Sequence, residues 1–301
     1  MNIFMTGGTG FVGTYLASHL IGEGHKVTVL TPSNTGLKKD IDGLTYLIGN
    51  PTSKGKWQES VCLHDAVINL AGASIFSRWT EAQKKAMRSS RIDTTRNLVA
   101  ALPDNAKDRI FLSTSAVGYY GFHEDEQLTE SSPGGSDFLA HLADDWEQAA
   151  LLAAAKGARV VITRFGIVLG KNGGALGQMM PLFKYYLGGR LGSGRQWFSW
   201  VHMHDLAQAF SFLLTHKEIN GAVNLCSPQP VRNRELAEAI GKVLHRPSFV
   251  PAPGFMIKLI LGEFGSVLLK GQRVLPRRLL DAGFQFQFAD IQAALKNIIA
   301  A

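Results

Sequence analysis

Ile3-Phe4-Met5-Thr6-Gly7-Gly8-Thr9-Gly10-Phe11-Val12-Gly13 reads as a short strand, a tight turn and the opening of a helix. The glycines at 7, 10 and 13 leave few alternatives. Gly7 permits the sharp turn, Gly10 lets backbone N–H groups approach a pyrophosphate with no Cβ in the way, and Gly13 lets the helix pack on the strand. The helix N-terminus adds partial positive charge at the same place. This spacing in a strand–turn–helix context predicts a dinucleotide-binding fold. The second strand should then choose the nucleotide. An acid at its end would bind the ribose 2′-hydroxyl of NAD. Here the strand ends Leu30-Thr31-Pro32-Ser33-Asn34, with no carboxylate, and Lys38 and Lys39 follow. That pattern favours the 2′-phosphate of NADP, with Thr31 at the strand end beside it.

The rest of the chain repeats the strand–helix alternation. Short β-branched runs fall at Asn2–Met5, Lys26–Leu30, Thr45–Ile48, Ala66–Leu70, Arg109–Ser113, Arg159–Arg164 and Ala222–Leu225. Several are apolar on consecutive positions, as in strands covered on both faces. Helical patterns lie between them at Phe11–Gly22, Glu81–Leu102, Asp137–Ala155 and Asp205–His216. The expected fold is α/β, a Rossmann-type doubly wound parallel sheet with a smaller, mostly helical C-terminal substrate lobe. We place the nucleotide-binding domain at residues 1–225, with chain crossing to the small lobe from about residue 170, and the C-terminal lobe at 226–301. Asn233–Leu244 reads as a helix capped by Asn233, and Phe249–Leu269 as a buried helix plus turn.

Composition narrows the function classes. In the 301 residues the formal charge is +7, and from Arg232 to Arg278 nine Lys/Arg stand against three acids. Such a lobe attracts a phosphorylated or carboxylated substrate, or is simply a solvated surface. It lacks the aromatic–basic interleaving of a nucleic-acid groove. Pro251, Pro253, Lys258 and Glu263 interrupt the most apolar stretch, so no membrane-spanning helix is expected. No secretory leader is expected, since the sequence opens directly on a short apolar strand. The two cysteines, Cys62 and Cys226, fit neither a disulfide framework nor a metal site and read as buried thiols of a cytoplasmic protein. No metal, nucleic acid or membrane partner is expected, and the sequence assigns no oligomeric state.

Later segments resemble one class. Asn69-Leu70-Ala71-Gly72 resembles the Asn-x-Ala-Gly turn of short-chain dehydrogenases, and Ser113-Thr114-Ser115-Ala116 stands where those enzymes keep a catalytic Ser or Thr. Arg164-Phe165-Gly166-Ile167-Val168-Leu169-Gly170 and His202-Met203-His204-Asp205 resemble segments of the extended, epimerase-like branch. More specifically, the chain resembles the YfcH-like epimerase family of nucleoside-diphosphate-sugar-epimerase-like proteins. Ser132-Pro133-Gly134-Gly135, Trp146-Glu147, Gly173-Gly174-Ala175-Leu176, Gly192-Ser193-Gly194-Arg195-Gln196, Ser199-Trp200-Val201-His202 and Gly271-Gln272-Arg273-Val274-Leu275-Pro276 carry the likeness. The last lies in a family-specific segment at about 249–297. The resemblance implies an NADP-type site: Gly7, Gly10, Phe11, Val12 and Gly13 at the pyrophosphate; Thr31, Asn69, Leu70, Ala71 and Ser113 along the nucleotide; Ile167 at the nicotinamide amide; and Arg91 within reach. Family members often carry Arg where this chain has Pro32.

Catalysis is where the chain departs from the class. Ordinary members use Tyr-x-x-x-Lys, the lysine lowering the pKa of the tyrosine. Here the expected region reads Asp137-Phe138-Leu139-Ala140-His141-Leu142-Ala143, and no tyrosine has lysine four residues on. Ser115, Tyr119 and Tyr120 are the substitutes by position, with His141, His202 and His204 as titratable alternatives. Arg164, Arg195, Gln196 and His202 read as substrate-cleft residues, and a guanidinium there suits a carboxylate or phosphate. Trp146-Glu147 reads as a helix-docking pair, with Trp197, Phe198 and Trp200 under the glycine-rich loop. The expected function is that of an NADP-dependent oxidoreductase or epimerase-like enzyme acting on a small polar substrate. The alternative is a non-catalytic NADP(H) sensor.

Overall fold

The computed structural model describes residues 1–34, 37 and 41–300. Lys38 and Lys39 lie outside the described residues. The central sheet holds seven strands, β1 (Asn2–Thr6), β2 (Lys26–Thr31), β3 (Leu44–Ile48), β4 (Ala66–Asn69), β5 (Ile110–Ala116), β7 (Arg159–Phe165) and β11 (Gly221–Leu225), in the order β11-β7-β5-β4-β1-β2-β3. All neighbours pair parallel. Three two-stranded ladders stand outside it. These are β6 (Gln127–Leu128) with β13 (Arg273–Val274), β8 (Ile167–Leu169) with β10 (Trp200–His202), and β9 (Trp197–Phe198) with β12 (Val231–Arg232).

The helices are α1 (Phe11–Gly22), α2 (Gln58–Val61), α3 (Glu81–Ala101), α4 (Phe138–Leu151), α5 (Gly174–Lys184) and α6 (Met203–Thr215). They continue with α7 (Asn233–Leu244), α8 (Gly254–Leu261), α9 (Glu263–Leu268), α10 (Arg277–Asp281) and α11 (Ile291–Ala300). Alternate strand residues feed two cores. Ile3, Met5, Val27, Val29 and Ile68 pack with α1 and α6 on one face, through Leu16, Leu20, Leu206 and Phe210. Phe4, Leu30, Val67, Phe111 and Ile162 pack with Trp57, Leu98 and Ala150 on the other. Burial on both faces explains why these strands read as continuous apolar runs. The order reverses between β4 and β2 around β1, so the crevice at the carboxyl ends of β1 and β4 is the topological switch point where such sheets bind ligands.

The C-terminal region is helical, as expected. Leu176 and Phe183 of α5, Leu236 and Ile240 of α7, and Ile291, Leu295 and Ile298 of α11 close a separate core on Trp200. Asp205 ties this region to α6, its carboxylate accepting the Gln287 and Phe288 amides at 2.9 Å each.

Three local expectations are corrected. Arg232, not Asn233, caps α7, and Asn233 instead accepts the Leu191 amide at 2.8 Å, holding the glycine-rich loop to that helix. The stretch expected as a buried helix plus turn forms two helices, and α8 buries Ile257 alone while Phe255, Met256, Leu259 and Ile260 are exposed. An eight-residue helix with six large apolar side chains has more such surface than one contact face can cover. Cys226 is buried as expected but Cys62 is exposed, because it follows the short α2 at the surface. One thiol per folded chain is therefore expected to react with an alkylating reagent, and both after denaturation. Native labelling of both thiols, or of neither, would contradict this placement.

Candidate functional site

The glycine turn is built as its spacing demands. Gly7 has φ +70°, and a Cβ there would lie 2.7 Å from the Leu70 carbonyl carbon at the end of β4. A Cβ on Gly13 would meet the Gly7 carbonyl oxygen at 2.2 Å. The Gly10 amide donates to the Gly7 carbonyl at 3.0 Å and closes the turn. No side chain caps α1, and its first turn carries no acid. Its N-terminal amides and partial positive charge are left for an anion, as a diphosphate requires. The Phe11 ring underlies Gly170, Gly173 and Gly174, so the segment after β8 is seated on the mouth of α1.

Asn69 and Ser113 sit beneath this mouth, fully buried. Thr6 donates to Asn69 Oδ1 at 2.7 Å, and Asn69 Nδ2 donates to Thr95 at 2.8 Å and Ser113 at 3.3 Å. These bonds join β1, β4, β5 and α3 and fix where Leu70 and Ala71 emerge. Arg91 braces the same turn from α3, donating to the Ala73 carbonyl at 3.1 Å with its guanidinium over the Trp146 ring. Burial pushes its pKa down to about 10. Thr31 ends β2, buried, its hydroxyl donating to the Ser33 carbonyl. Ile167 lies at the β8 edge with 36% of its surface exposed.

The catalytic candidates form a buried polar network. Ser115 Oγ donates to Glu147 Oε1 at 2.6 Å. Arg164 donates to both oxygens of Glu147, from Nε at 2.8 Å and Nη2 at 2.7 Å, and from Nη1 to the Tyr120 hydroxyl at 2.9 Å. The Tyr120 hydroxyl itself donates to Asn224 Oδ1 at 2.7 Å. All five are buried. Burial pushes the Tyr120 phenol well above its ordinary value. Burial alone would lower the Arg164 pKa, but the Glu147 carboxylate outweighs it and the guanidinium stays firmly charged. Tyr119 is different. Its ring lies 3.5 Å from the Arg164 guanidinium carbon, it is only half-buried, and its hydroxyl makes no hydrogen bond among the described residues.

The remaining predicted residues lie apart from this network. Arg195 is exposed, and its carbonyl accepts from Arg232. Gln196 donates to the Leu191 and Leu268 carbonyls at 3.1 Å each, tying α9 to the glycine-rich loop. His202 is buried, its ring tilted against that of Phe288 with centroids 4.0 Å apart, and caps α6 by accepting the His204 amide at 3.0 Å. His141 is exposed on α4. Burial, with the neighbouring His204 charge, pushes His202 down to about 4 from 6.5. In that window the unfolded chain takes a proton that the folded chain refuses. The stability His202 contributes is therefore complete above its unfolded pKa and is lost as pH falls toward the folded one. His202→Asn keeps a capping acceptor. It is expected to remove about 2 kcal/mol of the stability difference between about pH 7 and about pH 5. Urea midpoints at the two pH values test this, and parallel profiles for wild type and variant would refute it.

Sequence reasoning missed Glu147 as the hub of the network and Asn224 as the acceptor of Tyr120. It read Glu147 as a docking residue; its neighbour Trp146 does dock α4 on α3, donating to Thr95 at 2.9 Å. A charge between apolar neighbours on a helix was the available signal. It also missed what fills the place of the absent Tyr-Lys pair. Phe138, Leu139 and Leu142 pack with Leu261, Phe264 and Leu268 of the α8–α9 segment, and Leu139 lies against Gly118 just past β5.

A seven-stranded parallel sheet with a glycine turn at its switch point and a helical C-terminal region is the extended short-chain dehydrogenase/reductase architecture. The chain belongs to the NAD dependent epimerase/dehydratase family, whose model matches residues 3–226; residues 252–298 match a domain of unknown function, DUF1731. It is 40% identical over 307 residues to the chloroplastic SDR39U1 homolog of Arabidopsis thaliana, an epimerase family protein, covering 99% of this chain and 87% of that one. It is 39% identical over 303 residues to the epimerase family protein YfhF of Bacillus subtilis, covering 100% and 98%. The crystal structure of human epimerase family protein SDR39U1 (isoform 2) with NADPH is similar throughout, with TM-score 0.87, 34% identity and coverage of 100% and 99%. The Thermus thermophilus UDP-glucose 4-epimerase complex with NAD shares the fold, with TM-score 0.80 at 17% identity.

Proposed function

We propose that this protein binds NADP(H) at the mouth of α1 and acts as an oxidoreductase or epimerase-like enzyme on a small polar carbonyl or hydroxyl compound. The observation that carries the reading is the cradle at Gly7, Gly10 and Gly13, where an added Cβ would strike the turn after β4 at Gly7 and the turn's own carbonyl at Gly13, and would narrow the open side of the turn at Gly10. The absence of an acid from the Thr31-Pro32-Ser33-Asn34 stretch fits a 2′-phosphate, and the NADPH of the human relative supports it. A bound nicotinamide would supply hydride transfer. The chain would supply the rest. Phe11, Val12 and Gly13 would offer amides to the diphosphate, Leu70 and Ala71 would border the ribose, and Ile167 would meet the nicotinamide amide. Ser115, fixed by Glu147, would orient the substrate oxygen. Tyr119, whose ring lies over Arg164 and whose hydroxyl makes no hydrogen bond among the described residues, is better placed than Tyr120 to exchange a proton. Tyr120 serves that group as a buried prop. Arg164 acts from beneath, while the exposed Arg195 is free to meet an anionic substrate. A reducing compartment, the cytoplasm in the simplest case, suits an exposed Cys62.

A second reading, a non-catalytic NADP(H) sensor, is favoured by one observation. The α4 face that would carry the Tyr-Lys pair is apolar and packed under α9. One experiment separates the two. Purified protein is titrated with NADPH and NADH by nicotinamide fluorescence, then assayed for loss of reduced-nicotinamide absorbance on a panel of nucleotide sugars, aldehydes and ketones. Tight NADPH binding with turnover that Tyr119→Phe abolishes supports the enzyme. Binding without turnover supports the sensor, and no binding of either nucleotide overturns both.

A further inference from the structure

Half of the large apolar side chains that are exposed among the described residues fall in two stretches. Leu182, Tyr185, Tyr186 and Leu187 end α5 and begin the next loop, while Phe249, Phe255, Met256, Leu259 and Ile260 lie on or just before α8. Tyr185 is 77% exposed, Phe249 80%, Phe255 71% and Leu259 75%. The two stretches run side by side. The Val250 amide donates to Gly188 and the Ala252 amide to Arg190, the Gly192 amide returns to the Ala252 carbonyl, and Arg246 stacks over Tyr186. The segments that carry these side chains therefore adjoin one another. Positions 255, 256, 259 and 260 share one side of α8 by helical spacing. An exposed apolar patch of this extent marks an interaction surface.

Charge selects what covers it. Residues 182–190 and 245–261 contain no Asp or Glu. Lys184, Arg190, Lys242, Arg246 and Lys258 are all exposed, and none forms an ion pair among the described residues. An open cavity of about 470 Å³ adjoins the face, lined by Lys242, His245, Arg246 and Ser248, with Glu238 its one acid. Two copies meeting through this face would set cation against cation. Aromatic and aliphatic side chains ringed by lysine and arginine are the composition that seats a protein in the headgroup layer of an acidic bilayer, with the long cationic stems reaching to phosphate.

We propose that this face, the end of α5 with residues 245–252 and α8, docks the protein on an anionic lipid surface. No helix among the described residues is long and apolar enough to cross a membrane, so the contact is peripheral. It departs from the sequence expectation of no membrane partner, which rested on the lack of a spanning segment. Phe249, Phe255 and Leu259 enter the interface, and the five cations hold lipid phosphates.

The test is co-sedimentation of the full chain with vesicles of phosphatidylcholine alone and of phosphatidylcholine mixed with phosphatidylglycerol. Binding is expected only to the mixed vesicles and is released by salt. Each surface cation contributes roughly fivefold to partition, so Lys184→Gln with Lys258→Gln is expected to weaken binding roughly twentyfold or more. Phe255→Glu with Leu259→Glu is expected to abolish it. Tyr185→Ser with Phe249→Ser, outside the helices, gives the same loss without touching α8, and circular dichroism confirms that each variant folds. Failure to bind mixed vesicles overturns the proposal, as does equal binding to both kinds. So does a concentration-dependent dimer in sedimentation velocity that the same substitutions abolish, because the face would then belong to a second copy.

Discussion

Glu147→Gln is expected to lower the folding free energy by about 3–5 kcal/mol, the cost of leaving one buried charge unpaired. Glu147 and Arg164 are 6% and 5% exposed in their side chains, and their 2.7 Å contact is doubled by the Nε bond to the other carboxylate oxygen. Glutamine keeps the shape and can still accept from Ser115, but it leaves the guanidinium charged and unmatched. A loss of that size is a large part of the roughly 5–15 kcal/mol that holds a typical domain. It is read as a fall in urea midpoint at unchanged slope. The control is the pair replaced together. Glu147→Leu with Arg164→Met removes both charges and is expected to recover most of the loss, since a buried ion pair is often no more stabilising than apolar residues of its volume. Recovery will be incomplete, because the Ser115 and Tyr120 hydroxyls lose partners. If Glu147→Gln costs less than about 1 kcal/mol, the value of an ordinary hydrogen bond, the pair is not the buried ionic unit described here.

That network also shows where reading the sequence stops. All seven sheet strands were legible as β-branched runs, because burial on both faces makes their apolar character continuous and local. The glycine turn was legible for a different reason. At Gly7 and Gly13 its geometry leaves no room for a Cβ, so the backbone writes itself into the sequence. Asn69 was found at its strand end, while Ser113 falls inside β5, which runs on to Ala116 past the expected end; the work of both beneath the turn depends on Thr95, a residue of α3 that no local pattern connects to them. Tyr119 and Tyr120 were indistinguishable in sequence. The 3-10 turn Val117–Tyr120 separates them, sending Tyr120 inward to Asn224 and leaving Tyr119 half-exposed over Arg164. Glu147 meets Arg164 only when α4 lies across β7, so the pairing is tertiary. Hydropathy alone failed at α8, because an apolar helix reads the same whether a core or an external surface is its destination.

Gly10→Ala and Gly13→Ala are expected to part ways, and the difference isolates the nucleotide from the fold. At Gly10 a methyl group would have one close neighbour, the Gly7 carbonyl oxygen at 3.3 Å, and the backbone at φ −80° suits any residue. The fold should therefore survive with its thermal midpoint nearly unchanged. The methyl group would instead stand on the open side of the turn, where the diphosphate must approach the amides. Losing one charge-assisted hydrogen bond is worth about 1.5–3 kcal/mol, so NADPH affinity should fall by roughly 10–100-fold. At Gly13 the methyl group would meet the Gly7 carbonyl oxygen at 2.2 Å and the Gly8 Cα at 2.6 Å. Both obstacles are backbone, so helix and turn must separate, and both stability and binding should fall. Fluorescence titration beside thermal melting reads the two effects separately. Unchanged NADPH affinity in a well-folded Gly10→Ala variant would place the diphosphate elsewhere and remove the observation on which the nucleotide site rests. Because the methyl group at position 10 touches no catalytic candidate, the loss can be assigned to cofactor approach alone.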